Sequence, residues 1–148
     1  MKLILIALSS VFMMINACCS KSFVGEDKII RITEVNCWLN LMPGGKPSFH
    51  YSGTFYIDRK FSEEFNFSEV KVFYEDEIIH QSRPMIQISD EIITDSDSVV
   101  GFNFYSQQGI KVTESMMKAE KVDFILIFDI AGKNIEKNFR EVPITRAY

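Results

Sequence analysis

The sequence predicts an all-β fold, a single antiparallel β-sandwich of about seven strands preceded by an apolar N-terminal helix. Apolar and polar side chains alternate with a period of two over most of the chain, which is typical of half-buried strands. Turn-forming residues separate these segments at short intervals, as they do in sandwiches. The 148 residues are 47 % hydrophobic, which is enough to form the core of one domain.

The first two predicted strands are joined by a tight turn. Apolar residues alternate along residues 30–41, but the alternation slips near Thr33 and Glu34, which predicts one long strand bent by a bulge. Residues 49–58 show the clearest alternation in the chain. Between them, residues 42–47 combine proline and glycine at successive positions, so the first strand must end there.

The remaining strands follow from shorter alternating or apolar runs. The run 122–130 is apolar on both faces, which predicts a central position in a sheet, whereas the piece after Pro84 is predicted at an edge. Only residues 114–120 have helical propensity, and they can form two turns at most. These later strands are predicted at residues 70–74, 85–88, 99–105, 122–130 and 135–144, and residues 75–77 are predicted to turn the chain into Ile78 and Ile79.

The N-terminal segment reads as a signal peptide spanning residues 1–17. Lys2 is followed by residues 3–15, which are apolar except for two serines, and then by a small residue at Ala17. A helix of this length spans roughly 20 Å, which is shorter than the roughly 30 Å hydrocarbon core of a bilayer. We therefore expect a cleaved secretory signal rather than a permanent transmembrane helix.

Residues 15–18, Ile-Asn-Ala-Cys, resemble the lipobox of bacterial lipoproteins. The resemblance implies cleavage after Ala17, a covalent lipid on Cys18 and a location at the cell envelope, held to a membrane by acyl chains such as palmitate. The competing register on Cys19 fits the pattern less well. The resemblance also favours the outer membrane, because Cys19 stands where an aspartate would signal inner-membrane retention. Residues 18–28 are then expected to form the lipidated cysteine and the tether that follows it. Residues 29–148 are expected to form the β-sandwich domain.

The second half of the chain is similar to the terminal strands of an immunoglobulin-like or fibronectin-III-like module of the bacterial envelope. Residues 124–129, 131–133 and 144–148 carry this similarity, which implies architecture and no functional residue. The Cys-Trp-Cys spacing of antibody domains is missing. Cys37 lies in an apolar alternation, which favours a small buried side chain, while a disulfide with Cys19 stays open.

Composition and motifs argue against several classes of function. The formal net charge of −4 and the lack of a Lys/Arg cluster disfavour nucleic-acid binding. No serine stands in a Gly-x-Ser-x-Gly motif, so enzyme activity is not expected. A small envelope hydrolase remains an alternative, because paired carboxylates meet in space and leave no trace in sequence. We expect a non-enzymatic binding or structural module whose only added group is the lipid on Cys18.

Two kinds of candidate site remain. Exposed aromatic side chains among polar neighbours, and an exposed Pro-Gly turn, are typical of surfaces that bind a protein or a glycan. A copper or zinc site of a periplasmic metal-binding protein is the weaker alternative, and it would use the two histidines of the chain. The predicted partner surface comprises Trp38, Tyr56, Pro43, Gly44 and Gly45, and the alternative metal ligands are His50 and His80.

Overall fold

A computed structural model describes residues 29–93, 98–107 and 110–148, except for the side chains of residues 90–93, and confirms the all-β prediction. The described residues form nine strands, a short α-helix and one 3-10 turn. The strands are β1 (Ile30–Asn40), β2 (Ser48–Asp58), β3 (Phe65–Tyr74), β4 (Glu77–Ser82), β5 (Met85–Ile93), β6 (Ser98–Tyr105), β7 (Ile110–Lys111), β8 (Lys121–Ile130) and β9 (Lys133–Ala147); the 3-10 turn is Arg59–Phe61 and the helix is α1 (Glu114–Lys118).

The strands form one continuous sheet in the order β4-β3-β8-β9-β1-β2-β6-β5, with β7 paired to β2. Nine strands exceed the seven or so predicted, partly because β7 has only two residues. Every described strand pair is antiparallel except β1 and β9, which pair in parallel over residues 37–40 and 144–147. The first part of β9 pairs with β8 and its last part with β1, so this strand joins the two halves of the sheet.

The sheet curls so that its two halves pack face to face through aromatic rings. Phe55 of β2 lies 5.7 Å from Phe67 of β3 and 5.3 Å from Phe128 of β8, measured between ring centroids. Phe104 of β6 lies 5.2 Å from Phe67 in the same way. All four rings are buried. Edge-to-face pairs of this kind contribute about 0.5–1.5 kcal/mol each beyond the burial of their area.

The predicted bulge in the first strand is confirmed. The register between β1 and β2 shifts between Ile32 and Glu34, where the alternation slips. After the shift, the chain of β1 passes close to Gly53 of β2, and the ring of Phe104 lies over the same glycine. A Cβ atom at Gly53 would overlap both the carbonyl oxygen of Glu34 and the Phe104 ring. Only glycine fits there, because the bulge and the aromatic layer both use the space.

The turn between β1 and β2 begins with a side-chain cap. The Met42 amide donates to Oδ1 of Asn40 at 3.2 Å, and the Gly45 amide donates to the Met42 carbonyl at 3.3 Å. Gly44 has a φ of +87°, which glycine adopts without strain. The Pro-Gly segment therefore forms a compact exposed turn at the end of β1.

The close approach at Gly53 generates a stability prediction. We expect Gly53→Ala to lower the free energy of unfolding by about 1–3 kcal/mol, the usual cost of overpacking a core. Urea denaturation followed by circular dichroism measures it. Gly45→Ala is the matched control, because a Cβ there meets only the Met42 carbonyl oxygen at 3.7 Å. Equal stability of the two variants would contradict the packing described.

Candidate functional site

The outward side of β1, β2 and β6 carries a polar surface that contains outward-facing aromatic rings. Strand pairing places Trp38 beside His50, Ser52 between Asn36 and Tyr105, and Thr54 between Glu34 and Asn103. The inward residues of the same strands are buried, so these side chains lie on the outer side of the curled sheet. We call the surface the Trp38 face; it comprises Glu34, Asn36, Trp38, His50, Ser52, Thr54, Asn103 and Tyr105.

Trp38 is held by a stacking contact. Its ring lies 5.3 Å from the His50 ring, with an interplanar angle of 13°. The His50 ring is fixed in turn, since its Nε2 lies 2.8 Å from Oγ of Ser48. Trp38 is half-buried and faces outward, on the side that the alternation in the sequence predicts. Its orientation is therefore set before any partner binds.

Tyr56 lies on the same outward side, six residues further along β2 than His50. At about 3.3 Å per residue, this places the two rings about 20 Å apart. The guanidinium carbon of Arg31 lies 5.4 Å from the centroid of the Tyr56 ring, a cation–π contact. Tyr56 thus belongs to the same sheet surface as Trp38, but it forms a separate cluster with Arg31.

The exposed turn with Pro43, Gly44 and Gly45 lies beyond the end of β1 that carries Trp38. An apolar hollow of about 320 Å³ adjoins this turn at Pro47. It is open, and its lining surface is mostly apolar even though three polar residues contribute to it, so little polar surface is available to fix the orientation of a small molecule. The hollow is lined by Pro47, Val112, Thr113, Glu114, Met117 and Lys118.

The structure does not bring His50 and His80 together. His50 lies outward on β2, whereas His80 packs inside against the ring of Tyr51, at 6.1 Å between centroids. Within residues 29–93, 98–107 and 110–148, no group of three His, Cys, Asp or Glu residues could hold a metal ion. The alternative copper or zinc site thus has no shared position for its two predicted ligands.

His80 belongs instead to a small polar network at the margin of the core. Its Nε2 lies 2.8 Å from Oγ of Ser82, and the Tyr51 hydroxyl lies 3.0 Å from the same oxygen. Burial lowers the pKa of His80, so the ring is neutral at neutral pH. A serine beside a neutral histidine has the spacing of a nucleophile and base, but Ser82 Oγ is already shared with a core tyrosine. The Ser82 hydroxyl therefore serves as a hydrogen-bond partner for His80 and Tyr51 at the margin of the core.

Cys37 is a free, buried cysteine that packs on the inward side of β1. Its thiol donates to the Pro143 carbonyl at 3.5 Å, and burial raises its pKa to about 12. Cys19, the other half of the disulfide left open by the sequence, lies outside the described residues. So do Cys18 and the whole of residues 1–28, which hold the predicted signal peptide, lipidation site and tether.

The chain matches no protein-family model, no curated protein and no solved structure. Among the helices of the described part of the chain, none is long and apolar enough to cross a bilayer.

The sequence interpretation missed Asn103 and Tyr105 as members of the site. Their alternation with Val100, Phe102 and Phe104 already indicates an outward position, but only the pairing of β6 with β2 places them beside Ser52 and Thr54.

The lowered pKa of His80 predicts a pH dependence of stability. The unfolded chain takes up a proton near the ordinary histidine pKa of about 6.5, whereas the folded chain resists it. Stability is therefore complete above that pH and falls as the pH drops through it. We expect His80→Gln to remove this part of the pH slope in urea denaturation. The wild-type protein in the same buffers is the reference; an unchanged slope in His80→Gln would count against the assignment.

Cys37 should be chemically silent in the folded protein. Because the thiolate is the reactive form, a pKa near 12 and burial together predict alkylation at least about 100-fold slower than for a free thiol. Iodoacetamide labelling of the Cys37 peptide, followed by mass spectrometry with and without urea, measures this. The same sample in urea is the control, and rapid labelling without urea would show that the thiol is accessible.

Proposed function

We propose that this protein is a lipoprotein of the bacterial cell envelope, anchored through Cys18, whose immunoglobulin-like domain binds a partner without catalysing a reaction. The Trp38 face is the observation that carries the proposal. It combines a pre-oriented Trp–His stack with amide and hydroxyl side chains that are exposed or half-buried on the outward side of the sheet. Partly exposed aromatic side chains among polar ones are typical of binding surfaces.

The strand order supports the immunoglobulin-like assignment. The half β1-β2-β6-β5 corresponds to strands A-B-E-D of such a sandwich, and β9-β8-β3 corresponds to G-F-C. These seven strands are the core set, while β4 takes the place of an added C′ strand and β7 is a short accessory pair. We therefore propose an immunoglobulin-like sandwich with seven core strands, to which β4 and β7 are added.

A lipid on Cys18 would orient the domain. The chain enters β1 at Ile30, and Trp38 lies eight residues along that strand, at a distance of about 26 Å for an extended strand. The turn at residues 42–47 lies further still from the point of entry. With the anchor at Cys18, Trp38 and this turn lie at the end of the domain remote from the point where the tether joins it, where a partner in the envelope can reach them.

The two alternative functions have less support. A copper or zinc site would need His50 and His80 together, but they lie on opposite sides of β2. A hydrolase would need a substrate cavity beside a nucleophile, whereas the apolar hollow described above contains neither Ser82 nor His80. Binding through an exposed sheet surface needs only groups that the described residues provide.

The anchor is tested with a pair of adjacent cysteines. In cells that express the full chain and grow with labelled palmitate, we expect label on the wild-type protein and on Cys19→Ala, and recovery of both with membranes. Cys18→Ala should take up no label and keep its leader, because thioether formation precedes cleavage in the lipoproteins that the sequence resembles. Equal labelling of Cys18→Ala, or loss of label in Cys19→Ala alone, would refute an anchor at Cys18.

A further inference from the structure

The chemistry of the Trp38 face indicates what kind of partner it fits. Although 24 % of the chain is charged, the face carries a single charged side chain, Glu34, and no cation. The Glu34 carboxylate accepts a hydrogen bond from the side-chain amide of Asn36. Two cations lie on the same side of the sheet beyond the face, namely Arg31, which contacts the Tyr56 ring, and Lys111, which lies opposite Ser48 in the strand register. A polyanion would find no cation on the face.

The aromatic rings lie within reach of one small ligand. Trp38 and His50 are stacked across neighbouring strands, and Tyr105 is in the next row, opposite Ser52. Successive rows on one side of a strand are about 7 Å apart. Tyr105, the last residue of β6, is exposed by 39 %. The rings therefore offer apolar area at two neighbouring points of a polar surface.

The polar groups beside the rings are oriented and retain free hydrogen-bonding capacity. The Thr54 hydroxyl donates to Oδ1 of Asn103 at 3.0 Å, which fixes the amide and leaves its two N–H donors directed elsewhere. Ser52 lies between Asn36 and Tyr105 and makes no described side-chain hydrogen bond. Amides, hydroxyls and one carboxylate are donors and acceptors suited to the hydroxyl groups of a neutral ligand.

We infer that the Trp38 face binds a neutral polysaccharide built from pyranose sugars. A pyranose ring has an apolar C–H side, which packs on an aromatic ring, and a rim of hydroxyls, which suits the amides and hydroxyls of this face. The inference rests on the proposed function and names its ligand. It also fits an envelope location, because a domain tethered at its opposite end presents this face to surrounding polysaccharide.

Trp38 itself reports the binding, because it is the one tryptophan of the chain. The full-length protein, purified in detergent, is titrated with neutral oligosaccharides of glucose and of N-acetylglucosamine, and with polygalacturonate as an anionic comparison. We expect a saturable change of tryptophan emission with at least one neutral sugar and none with the anionic polymer. Absence of a saturable change with every neutral sugar overturns the inference.

Variants of Tyr105 locate the binding site while leaving the reporter in place. Tyr105→Ala should weaken the affinity about tenfold, whereas Tyr105→Phe, which keeps the ring, should retain most of it. Tyr148→Ala is the matched control, since Tyr148 is an exposed tyrosine beyond the end of β9. An equal loss of affinity in Tyr148→Ala, or full affinity in Tyr105→Ala, overturns the assignment to this face.

A second measurement separates failure of this inference from failure of the proposed function. A photo-crosslinking amino acid in place of Ser52 is introduced into the anchored protein in cells. One outcome is that no sugar binds, but the face crosslinks to one protein or to a second copy of the chain, and Trp38→Ala abolishes the crosslinked product. In that case the glycan inference is overturned and the binding function stands. If neither sugar binding nor a crosslink occurs, both are overturned.

Discussion

The fold depends on the close packing of aromatic rings between the two halves of a single curled sheet. Phe55 contacts rings from β3, β6 and β8, and the neighbouring inward position on β2 is Gly53, which leaves room for Phe104. Because the rings occupy the inward positions, β2 must present its polar side chains outward. The Trp38 face thus lies on the outer side of strands whose inner side forms the core. Because the core is closely packed, the residues of this face are held in fixed positions.

The two histidines lie on different strands, β2 and β4, and have different structural roles. His50 alternates outward and stacks on Trp38, whereas His80 lies inward and joins Ser82 to the hydroxyl of Tyr51. The buried network closes the margin of the core, where β4 leaves polar groups that must be satisfied. The outward pair of His50 and Trp38 orients a ring on the candidate binding surface. The two histidines therefore take part in separate contacts and share no position.

Local patterns in the sequence predicted much of this structure. The alternation in residues 49–58 identifies the inward side chains of β2, and the slip near Thr33 coincides with the observed bulge. The outward direction of Trp38 follows from the same period. Two features could not be predicted from local sequence patterns. The first is that β9 pairs with β8 over its first part and in parallel with β1 over its last part, and the second is the strand pairing that places Tyr105 beside Ser52. Both are contacts between distant segments, which leave no signal in a period-two pattern.

The parallel pair between β1 and β9 bears on how the domain would carry mechanical load. Residues 37–40 lie between β2 and the last residues of β9, hydrogen-bonded on both sides. A pull on the chain before Ile30 acts along the axis of β1, at right angles to the bonds it makes with β2. Those bonds are then sheared together rather than opened one by one. A tether at this point would pull on a strand that is paired on both sides, so a force on the tether would be opposed by many bonds at once.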